Sequence, residues 1–393
     1  MSDGFIPLSV PNLKGRELEL VSNAIETEWV STAGSYVEEF ESQLARYVGS
    51  PGAVSCQNGT SGLHLALLLS GVTRDDAVIV PALTFIAAVN PVKYIGAEPI
   101  FMDCDDSLCI DPIKLKRFCE DECDFDGTVL RHRASGRAIK VLVVVHVFGN
   151  MADMEQIMRI AEKFNLRIVE DATEALGTRY IEGPLKGKFA GTMGDFGVYS
   201  FNGNKIITTG GGGMLVARDG ELLERAKHLS TQAKSDVVYF EHDEVGYNYR
   251  MTNLQAAMGV AQLEQLEQFI ETKARNYQRY AELVQDIEGL DILKFRPGTR
   301  SNKWFYGLIC EKNGAFDRDR LIEGLAKKQV QSRPVWGIIC DQKPYRGSIE
   351  YDVRKAREFR EVIVNVPCST SLALGDVERV VEAVKGCASN EAN

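Results

Sequence analysis

From residue 52 to about residue 200 the chain repeats one rhythm: a short apolar run, a turn, then a stretch with apolar residues at helical spacing. Such alternation builds strand-helix-strand units, in which each helix carries the chain back over a sheet face so that the next strand lies parallel to the last. It predicts strands over 53–56, 77–81, 99–103, 140–146, 167–171 and 196–201, with helices over 61–69, 85–94 and 154–164. Gly71 and Gly96 stand where two of these helices would stop. The first half therefore reads as an α/β domain with a mainly parallel sheet between helical layers.

The rhythm breaks twice. Residues 121–137 are charged, contain glycine and are poor in apolar residues, which predicts an inserted surface loop or hairpin. Residues 206–218 predict a hairpin around Gly210 to Gly213, and 252–287 one long helical pattern. Beyond residue 293 strands are expected near 304–310 and 361–366, and helices near 318–327 and 376–384, a smaller α+β domain. The expected division is a large domain over 15–255 and a small one over 256–393, linked by the long helix, with 1–14 packing near the small domain.

Composition limits the partners. Lys plus Arg number 45 against 55 Asp plus Glu, a net charge of −10, which disfavours phosphate backbones and anionic lipid and points to a small molecule. The longest apolar stretch ends at Phe148 and is interrupted by His146, far short of the roughly 20 residues of a spanning helix. The start, with Asp3 and no basic segment before an apolar run, does not read as a signal peptide. Nine scattered cysteines suit a reducing compartment, so a cytoplasmic protein is expected. Cys119 and Cys123 are the one close pair, without the second pair or nearby His of a zinc site, and read as packing thiols.

Four features fall at predicted strand ends, where ligands gather in open α/β sheets. Gln57-Asn58-Gly59-Thr60-Ser61-Gly62 leads from a strand into a helix; free N–H groups at a helix start bind phosphate, or the segment is only a capped helix. It is neither a dinucleotide fingerprint nor a Walker loop, which argues against a nicotinamide oxidoreductase. Glu170-Asp171-Ala172-Thr173-Glu174 ends an apolar strand, and a carboxylate there can face a protonated ring nitrogen, bind a metal or cap the next helix. Ser200-Phe201-Asn202-Gly203-Asn204-Lys205, followed by Gly210 to Gly213, offers a lysine after a buried strand, either a desolvated amine able to attack a carbonyl or a solvated one. Phe85 follows the strand that ends at Pro81 and can stack on a flat ring or belong to the core. His146 reads as a satisfied histidine at a strand end. Taken together, a phosphate cup, an acid for a ring nitrogen, a stacking ring and an amine are what pyridoxal phosphate requires.

Over nearly its whole length the chain resembles the DegT-like sugar aminotransferases, among the fold-type I pyridoxal phosphate enzymes. The likeness rests on Trp29-Val30-Ser31-Thr32-Ala33-Gly34, Asn58 to Ser61, Pro81 to Phe85, Glu170-Asp171-Ala172, Ser200-Phe201 through Lys205 to Gly213, and Gly246 to Met251. Glu-Asp-Ala-Thr-Glu-Ala-Leu-Gly and Ser-Phe-Asn-Gly-Asn-Lys are most similar to the branch acting on UDP-linked 4-keto-6-deoxy-N-acetylhexosamines. The resemblance implies transfer of an amino group from L-glutamate to UDP-2-acetamido-2,6-dideoxy-hexos-4-ulose, in amino sugar and surface glycan biosynthesis. Other keto sugars, 3-keto or linked to dTDP or GDP, and a non-enzymatic cofactor-binding regulator are the alternatives; Lys205 speaks against the dehydratase branch, which carries histidine there. It further implies that Lys205 bonds the cofactor, Asp171 meets the pyridine nitrogen, Thr60, Ser61 and Ser200 hold the phosphate, and Gly59 also contacts the cofactor. Phe85 would stack on the ring, Glu174 and Asn202 would lie near it, and Asn248 would reach the phosphate of the neighbouring subunit in a homodimer with shared sites. Ser31, Thr32, Arg333 and Tyr345 are expected at the substrate, and Trp304 and Trp336 read either as contacts to the nucleotide or sugar or as interface or core residues. Many relatives have Gln or His at the place of Glu174, and often His at that of Asn202.

Overall fold

The computed structural model describes residues 4–236 and 238–388. The parts of the expected terminal segments at 1–3 and 389–393 lie outside the described residues. The main path of the large sheet comprises β1 (Val54–Cys56), β2 (Asp76–Pro81), β3 (Glu98–Met102), β4 (Ala138–Val145), β5 (Arg167–Asp171), β6 (Phe196–Ser200), β7 (Gly213–Ala217) and β8 (Ile349–Tyr351). Their order is β1-β7-β6-β5-β4-β2-β3-β8. Every pair from β6 to β8 through β5, β4, β2 and β3 is parallel, and β7 runs antiparallel to both β6 and β1. All strands but β7 thus end on one edge. Val78 to Val80 in β2 and Val141 to Val145 in β4 are buried, as expected for parallel strands with helices on both faces.

Three local expectations are corrected. The segment 85–94 is not one helix: a 3-10 turn, Ile86–Ala88, is followed by a helix restarting at Asn90–Tyr94. Pro91 lacks an N–H and fits only a first helical turn, so the helix has to begin again beside it. Residues 206–218 do not form a hairpin about the glycines. Gly213 already opens β7, which pairs with β6, and Phe201 N–H closes the wide connection by donating to Gly212 O at 2.8 Å. The pattern over 252–287 divides into Asn253–Leu263 and Leu266–Val284. At the break Gln262 and Gln265 both donate to Glu17, at 2.5 and 2.7 Å. The insertion at 121–137 is a hairpin, Cys123–Phe125 with Leu130–His132, laid against β4.

In the second half Leu290–Ile292, Tyr306–Cys310, Ile363–Val366 and Arg333–Pro334 form an antiparallel sheet. Arg318–Lys327 and Leu374–Lys385 are helical. The N-terminal strand-like segment joins this part through an Ile6–Val330 bridge and a Cys368 N–H bond to Leu8 O. The same half also sends β8 back to the edge of the large sheet, Ile349 pairing beside Ile100. Among the described residues no helix is long and apolar enough to cross a membrane.

Candidate active site

The shared strand edge opens into a cavity of about 440 Å³. Asn58 begins its floor: extended at the end of β1, it caps the helix Gly59–Leu69 by accepting from Ser61 N–H at 2.8 Å and from the Ser61 hydroxyl at 3.0 Å. The N-terminal N–H groups of that helix and Thr60 meet the cavity wall, where the helix dipole favours an anion. Backbone fits tightly there. A Cβ on Gly59 would stand 2.8 Å from Thr173 Cγ2, and one on Gly213 would stand 2.5 Å from Asn58 C and 2.7 Å from Gly59 N.

The acidic pair at the end of β5 divides because successive strand residues point to opposite faces. Glu170 turns inward, accepting from Gly191, Met193 and Gly194 N–H and from His146 Nε2, the last at 2.8 Å. Ala152 N–H donates to His146 Nδ1 at 3.2 Å, so both ring nitrogens are satisfied away from the cavity. Asp171 faces the ligand side; it is 3% exposed and accepts from Thr173 N–H at 3.0 Å. Burial raises its carboxyl above the usual range, with the Thr173 bonds and Lys205 opposing.

Lys205 enters from the β6–β7 connection. Its Nζ lies 3.8 Å from Glu174 Oε1 and 4.2 Å from the centre of the Trp304 ring. Burial lowers its amine below the ordinary lysine value while the two carboxylates resist, a shift that favours a nucleophilic amine. The Trp304 indole is fixed by donating from Nε1 to Asn204 O at 2.6 Å. Its carbonyl accepts from the buried Lys273 at 2.9 Å. Phe85 is 53% exposed at the mouth, its ring 6.4 Å from that of Trp336.

Of the residues expected from the sequence, Gly59, Thr60, Phe85, Asp171, Glu174, Ser200, Asn202 and Lys205 line this one cavity. Ser61 is buried beneath it, its hydroxyl taken by Asn58. Ser31, Thr32, Asn248 and Arg333 are exposed elsewhere on the chain. Tyr345 is not a free substrate contact: it is 2% exposed, with its hydroxyl on Asn90 Oδ1 at 2.6 Å. Trp304, Phe305 and Trp336, from the second half, complete the wall together with Gln57, Thr84 and Thr173. Trp304 and Trp336, which the sequence leaves open between substrate contact and core, both line the cavity, and sequence spacing gives no sign that Trp304 covers Lys205.

The DegT/DnrJ/EryC1/StrS aminotransferase profile matches residues 11–385. The chain belongs to that family. GDP-perosamine synthase of Escherichia coli O157:H7 is 37% identical across 97% of this chain and 98% of its own length. UDP-4-amino-4,6-dideoxy-N-acetyl-beta-L-altrosamine transaminase of Campylobacter jejuni is 28% identical across 96% of each. A crystal structure of a DegT DnrJ EryC1 StrS aminotransferase from Brucella abortus superposes with a TM-score of 0.85 at 26% identity, covering 94% of this chain and 95% of that one. The aminotransferase depends on pyridoxal phosphate and acts on sugar nucleotides. Its residues fit the cofactor: a helix start stripped of side-chain bulk, a buried carboxylate and a buried amine share one cavity wide enough for a ring.

The close backbone approach gives a test. Gly213→Ala would push a methyl group into the Asn58–Gly59 turn, at an overpacking cost of about 1–3 kcal/mol. The expected result is cofactor affinity about 10- to 100-fold weaker, read by absorbance titration of the cofactor-free protein, with the fold retained by circular dichroism.

Proposed function

We propose that the aminotransferase moves the amino group of L-glutamate onto C4 of a 4-keto-6-deoxy sugar nucleotide, within a homodimer, for amino sugar and surface glycan biosynthesis. The observation that carries this reading is Lys205 Nζ, held 3.8 Å from Glu174 and covered by Trp304 in the cavity that Asp171 also faces. Bound pyridoxal phosphate supplies an aldehyde for the amine and a pyridine ring that accepts electrons from carbon. Thr60, Ser200 and the helix N–H groups hold its phosphate; Asp171, kept from water, favours a proton on the ring nitrogen. Phe85, at the mouth, would cover one face of the ring. With the cofactor bound, Lys205 Nζ would be the base that takes a proton from the donor α-carbon and, in the second half, the acid that gives one to C4 of the sugar. Trp304, Phe305 and Trp336 exclude water from that proton path.

The nucleotide has two readings, each with its support. A GDP-linked sugar comes first, because the 37% identical relative is a GDP-perosamine synthase. The UDP-linked 2-acetamido sugar comes second, on the motif from Glu170 to Gly177 and the altrosamine transaminase. A shared dimeric site is supported by the hairpin Lys234–Asp236 with Glu241–His242, which leaves Val238, Tyr239, Phe240 and Val245 at least 70% exposed; such an apolar patch calls for a cover. Asn248, next along the chain, then stands ready to meet a partner's phosphate.

The deciding experiment supplies L-glutamate with a panel of GDP-, UDP- and dTDP-linked 4-keto-6-deoxy sugars and a 3-keto sugar nucleotide, and identifies amine products by mass spectrometry. The GDP-linked 4-keto sugar is expected to show the highest kcat/KM. Amination of the 3-keto sugar alone, or of none, would overturn the proposal.

A further inference from the structure

Glu174 is held by contacts that define a task for it. Its Oε2 accepts from Phe148 N–H at 2.7 Å. Phe148 takes a positive φ of 58° to present that N–H, a conformation that costs a bulky residue energy and is kept only where the surroundings impose it. From below, Asn302 Nδ2 donates to the Glu174 carbonyl at 2.9 Å. With one carboxyl oxygen and the backbone fixed, Oε1 is left facing Lys205 Nζ.

The charges around it can be counted. Among the described residues, Asp171 from the end of β5, Glu174 from the following turn and Lys205 from the β6–β7 connection are the charged residues of the cavity wall. His146 and Glu170, on the neighbouring strand ends, are bonded to each other and turned away. One amine therefore answers two buried carboxylates. Were the Lys205 ammonium to bond the cofactor's aldehyde, the new C=N bond would form with loss of water and of the ammonium's proton, and Glu174 would lose the cation it faces and stand near the cofactor's electron-rich phenolic oxygen. A carboxylate repels that oxygen, whereas a carboxylic acid donates a hydrogen bond to it.

We infer that Glu174 is the proton acceptor of cofactor loading: a carboxylate paired with Lys205 in the free protein, it takes up a proton when pyridoxal phosphate engages the amine. This rests on the site reading above. In the free protein burial already pushes Glu174 up to about 7, held there by the opposing pull of Lys205 and the Phe148 N–H. Removing the pull of Lys205 raises it further. The sign follows by linkage: a group whose bound-state value exceeds its free-state value takes up a proton on binding. Its contribution to affinity is then full below about pH 7 and is lost as pH rises from there towards the bound-state value.

The test titrates pyridoxal phosphate into cofactor-free protein at about pH 8 by calorimetry, in two buffers of unlike ionisation enthalpy, for the wild type and Glu174→Gln. The wild type is expected to take up close to a full proton per site more than the variant. Between pH 8 and 9 its Kd should rise up to about tenfold relative to the variant's, the slope of one linked proton; comparing the two removes the protonation of Lys205 and of the cofactor itself. Equal proton uptake by two proteins that both bind the cofactor overturns the inference and leaves the reading of the site intact. A wild type that binds no cofactor overturns both. Should the variant fail to fold, infrared difference spectra of the wild type decide: a protonated-carboxyl band appearing on loading supports the inference, and its absence overturns it.

Discussion

Lys205→Ala leaves a folded protein that binds pyridoxal phosphate without bonding it, and transamination falls by on the order of 10⁴-fold. The effect is large because one side chain is asked both to bond the cofactor and to carry the proton between carbon atoms, and among the described residues no second amine lines the cavity. The fold survives because the neighbours of Nζ have other anchors: Glu174 keeps the Phe148 N–H and Trp304 keeps its bond to Asn204. Alanine also removes the cation from a site with two buried acids, so Glu174 is expected to hold its proton and the apo variant to unfold no more easily than the wild type at pH 7. Rate measurements with saturating glutamate, beside thermal melts and cofactor absorbance, check this. A variant that retained a tenth of wild-type turnover would remove Lys205 from the chemistry, and one that failed to fold would show that the ion pair with Glu174 is structural.

Much of that site is legible in the sequence because strand ends place it. Gly59, Asp171, Ser200 and Lys205 each follow a recognisable apolar run, and parallel strands deliver their ends to one edge whatever the details of packing. Local pattern fails where the deciding contact is distant. Glu170 and Asp171 look alike in the chain, and only the pleat, together with the Gly191–Gly194 turn that accommodates Glu170, separates the structural acid from the one facing the ligand. Trp304 and Trp336 suit a sugar contact, an interface or a core alike, and only the fold takes them from the second half to the cavity; β8 returns from beyond both to finish the first sheet, of which strand periodicity contains no record. Tyr345 misled because an aromatic with a polar tip suits a sugar pocket as well as a buried hydrogen bond to Asn90. The break at Pro91, by contrast, was visible in principle: the proline excluded an unbroken helix over 85–94.

The same dependence on distant contacts makes Glu41→Ala a damaging change away from the cavity, with an expected loss of about 3–5 kcal/mol of stability. Glu41 lies on the helix Ser35–Val48, 8% exposed. Its Oε1 accepts from Ser55 N–H at 2.7 Å and from the Ser55 hydroxyl at 2.8 Å, and Arg250 NH1 donates to it at 2.7 Å. Ser55 belongs to β1, the edge strand that leads into the phosphate cup, and Arg250 is itself 6% exposed. Removing the carboxylate strands a buried guanidinium and two donors, and that desolvation, rather than the Coulomb attraction of the pair, sets the size of the loss. The damage should reach the site, since Gln57 donates from Nε2 to Arg250 O at 2.5 Å and from its N–H to Tyr249 O at 2.7 Å. Denaturant unfolding would show a lower midpoint at an unchanged slope. Glu41→Ala combined with Arg250→Met should recover part of the loss, because the second change removes the unpaired charge. A single variant within 1 kcal/mol of the wild type would mean that water reaches Arg250, and that the edge strand does not rely on this pair.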